Sequence, residues 1–265
     1  MKAALTEPRR QPKLPRYRAP STMSEVYVAE VLGPLTPAEC RFAPSSVWLA
    51  GDPGLLGNQQ LRVAVVGSRE ASSEGLRRAA KLAAQLAHLG IVVVSGLAAG
   101  VDGAAHNAAL EAGGRTIGVI GTPLTLAYPR AHAALQECIY REHLLVSQFA
   151  PHRRGHPSDF VRRNRLMALL SHASVVVEAG DSSGTLSQAA ETVRLGRPLF
   201  IMRSTAERVD LEWPRRFLDK GAIVLESVEQ LAARLRPEPA GSNQGVLRLV
   251  EGTGPLVEAG GEVEK

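Results

Sequence analysis

The stretch LRVAVVGSREASSEGLRRAAKLAAQLAHLGIVVVSGLAAG, residues 61–100, decides the fold. It opens with an apolar run at 61–66, continues with an amphipathic stretch at 73–89 that stops at Gly90, and returns to an apolar run at 91–94. The helical spacing of the apolar residues in the middle predicts a helix, and the short runs on either side predict buried strands. Apolar strands joined through a helix are typical of a parallel sheet that is covered on both faces.

The same alternation continues to residue 235. Further strands are predicted at 116–120, 144–147, 174–178, 198–202 and 222–225. Helices are predicted between them at 101–112, 131–141, 160–171, 184–195 and 228–235. The fold class that follows is α/β, with an extended Rossmann-like, doubly wound, mainly parallel sheet and helices on both faces.

Composition divides the chain into four segments. Residues 1–20 are rich in Pro and Arg, which predicts a disordered basic N-terminal tail. Residues 21–60 form a lead-in segment with a strand near 47–50, and residues 61–236 form the Rossmann-like domain. Residues 237–265 turn Gly-rich and acidic, which predicts a C-terminal tail.

The overall charge permits a polyanionic partner without requiring one. The 265 residues carry 31 Lys and Arg against 26 Asp and Glu, a net charge of +5, and only 4% are aromatic. The two cysteines, Cys40 and Cys138, are not spaced as metal ligands or as a disulfide framework. With no apolar run long enough for a secretory signal or a membrane helix, the expected location is the cytoplasm.

Small and polar residues follow four of the predicted strands. Because the carboxyl ends of parallel strands meet at one edge of a sheet, these loops predict a rim whose backbone N–H groups bind phosphate. The candidate residues are Gly67, Ser68, Arg69, Ser95, Gly96, Gly121, Ser183, Gly184 and Thr185. The alternative is that the glycines serve only tight strand-to-helix turns.

The motifs of common nucleotide enzymes are missing. The chain has no G-x-G-x-x-G after the first strand and no Walker lysine, so neither NAD nor ATP is expected and no cofactor is predicted. A nucleophile elbow G-x-S-x-G is absent as well. Asp102 and His106 lie one helical turn apart, but with no third ligand nearby we interpret them as a helix-start Asp and a packed His, and no metal is expected.

The strongest charge feature is the arginine segment, residues 152–165. It contains Phe160 and Asn164 together with five arginines: Arg153, Arg154, Arg162, Arg163 and Arg165. Guanidinium groups suit phosphates, and an aromatic ring among them suits a stacked base, so the segment indicates nucleic-acid binding. The alternative is a solvated basic face or ion pairs within the protein.

These motifs resemble one family, the DNA-processing protein A (DprA/Smf) family. The resemblance rests on ordered motifs between about residue 47 and residue 235. They are VVGSR at 65–69, SGLAAGVDGAAH at 95–106, TIGVIG at 116–121 followed by Tyr128-Pro129, FVRRNR at 160–165, and VVVEA at 175–179 followed by SGT at 183–185.

The resemblance implies a role without catalysis. Members of the family bind single-stranded DNA, help to load the RecA recombinase and dimerise through the Rossmann domain during natural transformation. If the family's residue roles hold at the matching positions of this chain, Arg69 contacts a backbone phosphate and Phe160 stacks on a base. Arg162, Asn164 and Arg165 then line the pocket.

Two alternatives from the same superfamily stay open. One is a sensor of a small nucleotide ligand that uses the same phosphate rim. The other is a phosphoribohydrolase of the cytokinin-activating type, which carries a catalytic Glu after a Gly-Thr motif. A Glu two residues after Thr185 would support that chemistry, and Ser187 occupies the position.

Overall fold

A computed structural model describes residues 16–235. It contains nine strands: β1 (Ser24–Tyr27), β2 (Ser46–Gly51), β3 (Arg62–Val66), β4 (Val92–Ser95), β5 (Thr116–Ile120), β6 (Leu144–Ser147), β7 (Ala173–Val176), β8 (Leu199–Met202) and β9 (Ile223–Leu225). The larger helices are α3 (Ser73–His88), α4 (Val101–Glu111), α5 (Ala133–Glu142), α6 (Asp159–Leu170), α7 (Thr185–Arg194) and α10 (Val228–Leu235). The shorter α-helices are α1 (Val28–Leu32), α2 (Pro37–Cys40), α8 (Arg203–Ala206) and α9 (Trp213–Leu218), and two 3-10 helices lie at Pro53–Leu56 and Arg130–His132.

All nine strands join one sheet in the order β1-β2-β6-β5-β4-β3-β7-β8-β9. The strands from β3 to β9 pair in parallel, with β3 between β4 and β7. From β3 the chain winds outward first through β4, β5 and β6 and then, on the other side, through β7, β8 and β9. The predicted doubly wound α/β fold is therefore confirmed, and its topological switch point lies between β3 and β7.

Alternate residues of the strands pack into two separate core layers, one on each face of the sheet. In β3, Val63 and Val65 pack with α3, α4 and α10, whereas Ala64 and Val66 pack on the opposite face with α6 and α7. Since successive side chains of a strand point to opposite faces, consecutive residues of a strand that is buried on both sides are apolar, as in Val63–Val66. This is why 62–66 lacks the alternation of a half-exposed strand.

The lead-in segment adds two strands to the same sheet. β2 pairs antiparallel with β6, with Trp48 opposite Ser147, and β1 pairs antiparallel with β2 at the edge. The sequence analysis placed a strand near 47–50 but did not predict β1, because that strand is an exposed edge with polar residues. The short helices α8 and α9 were also missed.

Residues 16–20 correct part of the expected N-terminal tail. The hydroxyl of Tyr17 donates to the carbonyl of Leu124 (2.8 Å), and the Arg18 N–H donates to the Glu137 carboxylate (2.7 Å). These contacts hold the end of the predicted disordered segment against the sheet domain. Residues 1–15 and the predicted tail at 237–265 lie outside the described residues.

No helix within residues 16–235 is both long enough and apolar enough to cross a membrane.

Candidate functional site

A cleft lies at the carboxyl edge of the sheet, over the switch point between β3 and β7. Its volume is about 480 Å³, and most of its lining comes from three parts: the β3 loop (residues 67–72), the first turns of α6, and the β7 loop (residues 177–184) with the start of α7. Ala98 and Asp102 complete the lining. Predicted site residues that line it are Gly67, Ser68, Arg69, Phe160, Arg163, Asn164, Ser183, Gly184 and Thr185. Ligands of doubly wound sheets bind at this position.

The β3 loop is tied to β7 through Glu178. Ser68 donates its N–H to the Glu178 carbonyl (2.7 Å), and the Glu178 carboxylate accepts from the N–H (2.7 Å) and hydroxyl (2.6 Å) of Ser72. A Cβ at Gly75 would overlap this carboxylate. The positive end of α3 is therefore already neutralised from within the protein, so it is not the end that is open to a phosphate.

Arg69 projects from the same loop into solvent. Its guanidinium lies 5.5 Å from the centre of the Phe160 ring. Among residues 16–235, no carboxylate is within ion-pair distance of Arg69 or of Arg154. An exposed guanidinium beside an aromatic ring can contact an external phosphate without losing an internal partner.

In the loop after β4, Ala98 lines the cleft but Ser95 and Gly96 do not, which corrects the prediction for these two residues. The Asp102 carboxylate fills this loop, where it accepts from the N–H groups of Gly96 (3.2 Å) and Ala98 (3.3 Å). Ser95 is buried and donates its hydroxyl to the carbonyl of Val65 (2.7 Å). An internal carboxylate thus occupies the N–H groups that were expected to bind an external anion.

Arg163 forms the floor of the cleft and is a buried partner of Asp102. Its guanidinium lies 3.9 Å from that carboxylate and donates to the Val119 carbonyl (3.1 Å), with 6% of the side chain exposed. A Cβ at Gly96 would overlap the guanidinium, so the glycine is needed for this packing. Burial raises the pKa of Asp102 and lowers the pKa of Arg163, while each charge opposes the shift of the other.

His106 has a structural role in the interior. Its Nδ1 lies 2.7 Å from the hydroxyl of Thr116, and complete burial lowers its pKa to about 3. The ring is therefore neutral at physiological pH. Within residues 16–235 no group of three or more His, Cys, Asp or Glu side chains is placed to hold a metal ion.

The β7 loop leaves the start of α7 open toward the cleft. The Ser183 hydroxyl accepts from the Thr185 N–H (3.2 Å), and Asn164 donates to the Gly184 carbonyl (3.3 Å). The nearby Asp181 carboxylate turns away from the cleft and accepts from the Trp213 N–H (3.0 Å) at the start of α9. Since no carboxylate of the loop caps α7, the positive end of its dipole can face an anion.

The other arginines of the arginine segment do not line the cleft, contrary to the grouping that the sequence suggested. Arg153 forms two hydrogen bonds to the buried Asp159 carboxylate (2.6 and 2.9 Å), and Arg162 lies 3.9 Å from it. Arg165 lies 3.3 Å from Glu191 and stacks 4.8 Å over the ring of Phe42. Arg154 is exposed, but outside the cleft.

Gly121 takes part through its lack of a side chain. It is buried, and a Cβ there would lie 2.7 Å from the Phe160 ring. Phe160 can therefore lie flat against the end of β5 and face the cleft. The predicted phosphate-binding role of Gly121 is replaced by a spacing role.

Two of the four loops predicted to bind an anion already contact a carboxylate of the protein, which the sequence did not reveal. Glu178 contacts the β3 loop, and Asp102 contacts the loop after β4. The signal for Asp102 is its place in the first turn of α4, directly after the SGLAAG loop. Glu178 has no local signal, because its partner Ser72 is 106 residues away along the chain. Ser187 lines the cleft at the position where a hydrolase would carry its Glu.

The comparisons with known proteins identify the family of this chain. A family model described as DNA recombination-mediator protein A matches residues 30–236. The DNA processing protein DprA of Streptococcus pneumoniae is 42% identical over 139 residues, which are 52% of this chain and 49% of that protein. DprA of Bacillus subtilis is 31% identical over 192 residues, 72% of this chain and 64% of that protein. The chain spans about half the length of the curated relatives it matches.

Two solved structures are similar over most of the described residues. The X-ray structure of DprA from Streptococcus pneumoniae superposes with a TM-score of 0.72 at 31% identity, covering 82% of this chain and 76% of that one. A structure of DprA from Helicobacter pylori, reported for its single-stranded DNA binding mode, superposes with a TM-score of 0.67 at 28% identity, covering 80% and 95%. The chain therefore belongs to the DNA recombination-mediator protein A family, the DprA/Smf proteins.

Proposed function

We propose that this protein binds single-stranded DNA in the cleft at the switch point. The observation that carries the proposal is the exposed Arg69, which has no carboxylate partner within residues 16–235 and lies beside Phe160 at the mouth of the cleft. Two parts of the rim suit phosphate: the Arg69 guanidinium and the open N-terminus of α7. The relative from Helicobacter pylori, whose single-stranded DNA binding mode is described, supports the same ligand for this fold.

In this proposal the backbone of the strand follows the rim and a base faces Phe160. Arg69 contacts one phosphate, and another lies at the start of α7 near Gly184. Asn164 orients the β7 loop through its bond to Gly184. Arg163 forms the floor of the cleft beneath the strand. Backbone and stacking contacts tolerate any base, so little sequence preference is expected.

The wider role proposed here follows the family resemblance. It comprises DNA processing in natural transformation, loading of RecA, a homodimer formed through the Rossmann domain, and action in the cytoplasm. The protein acts as a binding protein without catalysis, since Ser187 cannot stabilise an oxocarbenium-like centre as a carboxylate would. Incubation with AMP tests this point: release of free adenine would contradict it.

The test is fluorescence anisotropy of the wild-type chain with labelled oligo-dT at about 50 and about 200 mM salt. We expect binding that weakens steeply as salt rises, because phosphate contacts release counterions. An unlabelled duplex competitor shows whether the single strand is preferred. Absence of binding at the lower salt concentration would contradict the proposal.

A second candidate is a sensor of a small nucleotide. The cleft volume favours it, because about 480 Å³ falls within the ~300–1,000 Å³ range of small-molecule sites. A thermal-shift series with mononucleotides and dinucleotides separates the two. A nucleotide that stabilises the protein and that oligo-dT does not displace would favour the sensor.

A further inference from the structure

Tyr128 is an exposed aromatic residue next to the proposed DNA site. It lies in the β5 loop (residues 121–129), and 50% of the residue is exposed. Its ring centre is 5.3 Å from that of Phe160, with a tilt of 47° between the planes. Exposed aromatic rings beside a functional cleft are typical of binding surfaces.

The two rings differ in how much surface they offer. Phe160 is half-buried, since it packs against Gly121 and has the Arg69 guanidinium 5.5 Å from its centre. Tyr128 is the outer member of the pair and keeps a larger open surface. A base that leaves the cleft past Phe160 meets Tyr128 next.

The β5 loop that carries Tyr128 is braced on several sides. The hydroxyl of Thr122 donates to the Leu126 carbonyl (3.0 Å) and that of Thr125 to the Pro151 carbonyl (2.7 Å). Leu124 accepts from the hydroxyl of Tyr17 (2.8 Å). A braced loop presents its side chains with little ordering needed on binding, which favours affinity.

We propose that Tyr128 and Phe160 form a two-ring platform for successive unpaired bases, so that the strand leaves the cleft across the β5 loop. The proposal rests on the function proposed above. The rings supply stacking surface and Arg69 beside them supplies the charge for the phosphate between the bases. This combination of aromatic surface and cation is the one that single-stranded nucleic acid requires.

The test compares Tyr128→Ala, Tyr128→Phe and wild type by anisotropy with labelled oligo-dT. Loss of a stacked base predicts about 5- to 150-fold weaker binding for Tyr128→Ala. Tyr128→Phe keeps the ring and should stay within about twofold of wild type. The salt dependence of Tyr128→Ala should match that of wild type, because no phosphate contact is removed.

Tyr27→Ala is the matched control, since Tyr27 is 63% exposed on the edge strand β1 at the far end of the sheet from β3 and β7. It should bind as wild type does. A second readout is photocrosslinking of an oligonucleotide that contains 5-iododeoxyuridine, with the crosslinked peptide identified by mass spectrometry. We expect a peptide that contains Tyr128.

Wild-type affinity in Tyr128→Ala, while Arg69→Ala is impaired, would overturn the platform and leave the proposed function standing. A change of oligomeric state in Tyr128→Ala at unchanged DNA affinity would also overturn it, in favour of a protein partner for this surface. Absence of binding by the wild-type chain would overturn both.

Discussion

The cleft rim and the arginine segment carry the same kind of side chain but differ in what those side chains contact. At the rim, Arg69 is exposed and has no carboxylate partner within residues 16–235. In the arginine segment, Arg153, Arg163 and Arg165 each contact a carboxylate of the same domain. A paired guanidinium attracts a phosphate less, since its field is partly cancelled. The placement of carboxylates, more than the number of arginines, therefore decides where a polyanion can bind.

The largest effect is expected where an arginine of the segment is buried. Arg163→Ala leaves Asp102 buried without its counter-charge, and removal of one partner from such a pair destabilises by about 3–5 kcal/mol. Urea unfolding followed by circular dichroism measures the loss. Arg162→Ala, its exposed neighbour on the same helix, is the control and should change the free energy of unfolding by less than about 1 kcal/mol. Equal stability of the two variants would break the distinction between the buried and the exposed arginine.

A smaller effect is expected from filling the space beside Phe160. In Gly121→Ala the new Cβ would lie 2.7 Å from the ring, so the ring must shift, and overpacking of this kind destabilises by about 1–3 kcal/mol. Oligo-dT affinity should fall as well, because the displaced ring faces the cleft. Gly155→Ala is the matched control, with nothing within 4 Å of its Cβ position. Unchanged stability and affinity in Gly121→Ala would rule out the spacing role.

The next effect concerns the carboxylate that pairs with Arg153. The two hydrogen bonds from Arg153 hold the pKa of Asp159 below its ordinary value. A carboxyl with a lowered folded-state pKa contributes stability above its unfolded pKa and loses it as pH falls through the folded value. Asp159→Asn should therefore be less stable than wild type by about 1 kcal/mol at neutral pH, and the gap should close below about pH 4.

The pH series is followed by thermal unfolding of both proteins. Asp210→Asn, which removes an exposed partner of Arg208, serves as the control and should differ little from wild type at any pH. A gap between wild type and Asp159→Asn that stays constant from neutral to acidic pH would show that the ion pair is not its source.

Much of the fold follows from local pattern, whereas the site follows from it only in part. The apolar strands and amphipathic helices from residue 61 onward are visible in the sequence because each is a local signal. The antiparallel pairing of β2 with β6 has no local signal, and β1 is too polar to stand out. The predicted residues Gly67–Arg69 and 183–185 line the cleft, and their contact with phosphate stays a prediction.

The arginine segment shows why the rest could not be predicted. Arg163 and Asp102 are 61 positions apart, and Arg165 and Glu191 are 26 apart, so only the folded chain brings each pair together. Ion pairing within the protein was left open as an alternative by the sequence, and for four of the five arginines the structure supports it. The pair of Arg153 and Asp159 differs from these two pairs, because its residues are close enough along the chain for the sequence to suggest their contact.

The most direct measurement compares Arg69→Ala with Arg165→Ala by oligo-dT anisotropy across a salt series. It shows whether the rim or the arginine segment contacts the DNA backbone. Loss of one phosphate contact on single-stranded DNA lowers the slope of log K against log salt by about 0.7. We predict this change and a clear loss of affinity for Arg69→Ala, and wild-type affinity and slope for Arg165→Ala. An Arg165→Ala variant that loses as much affinity and slope as Arg69→Ala would contradict the account.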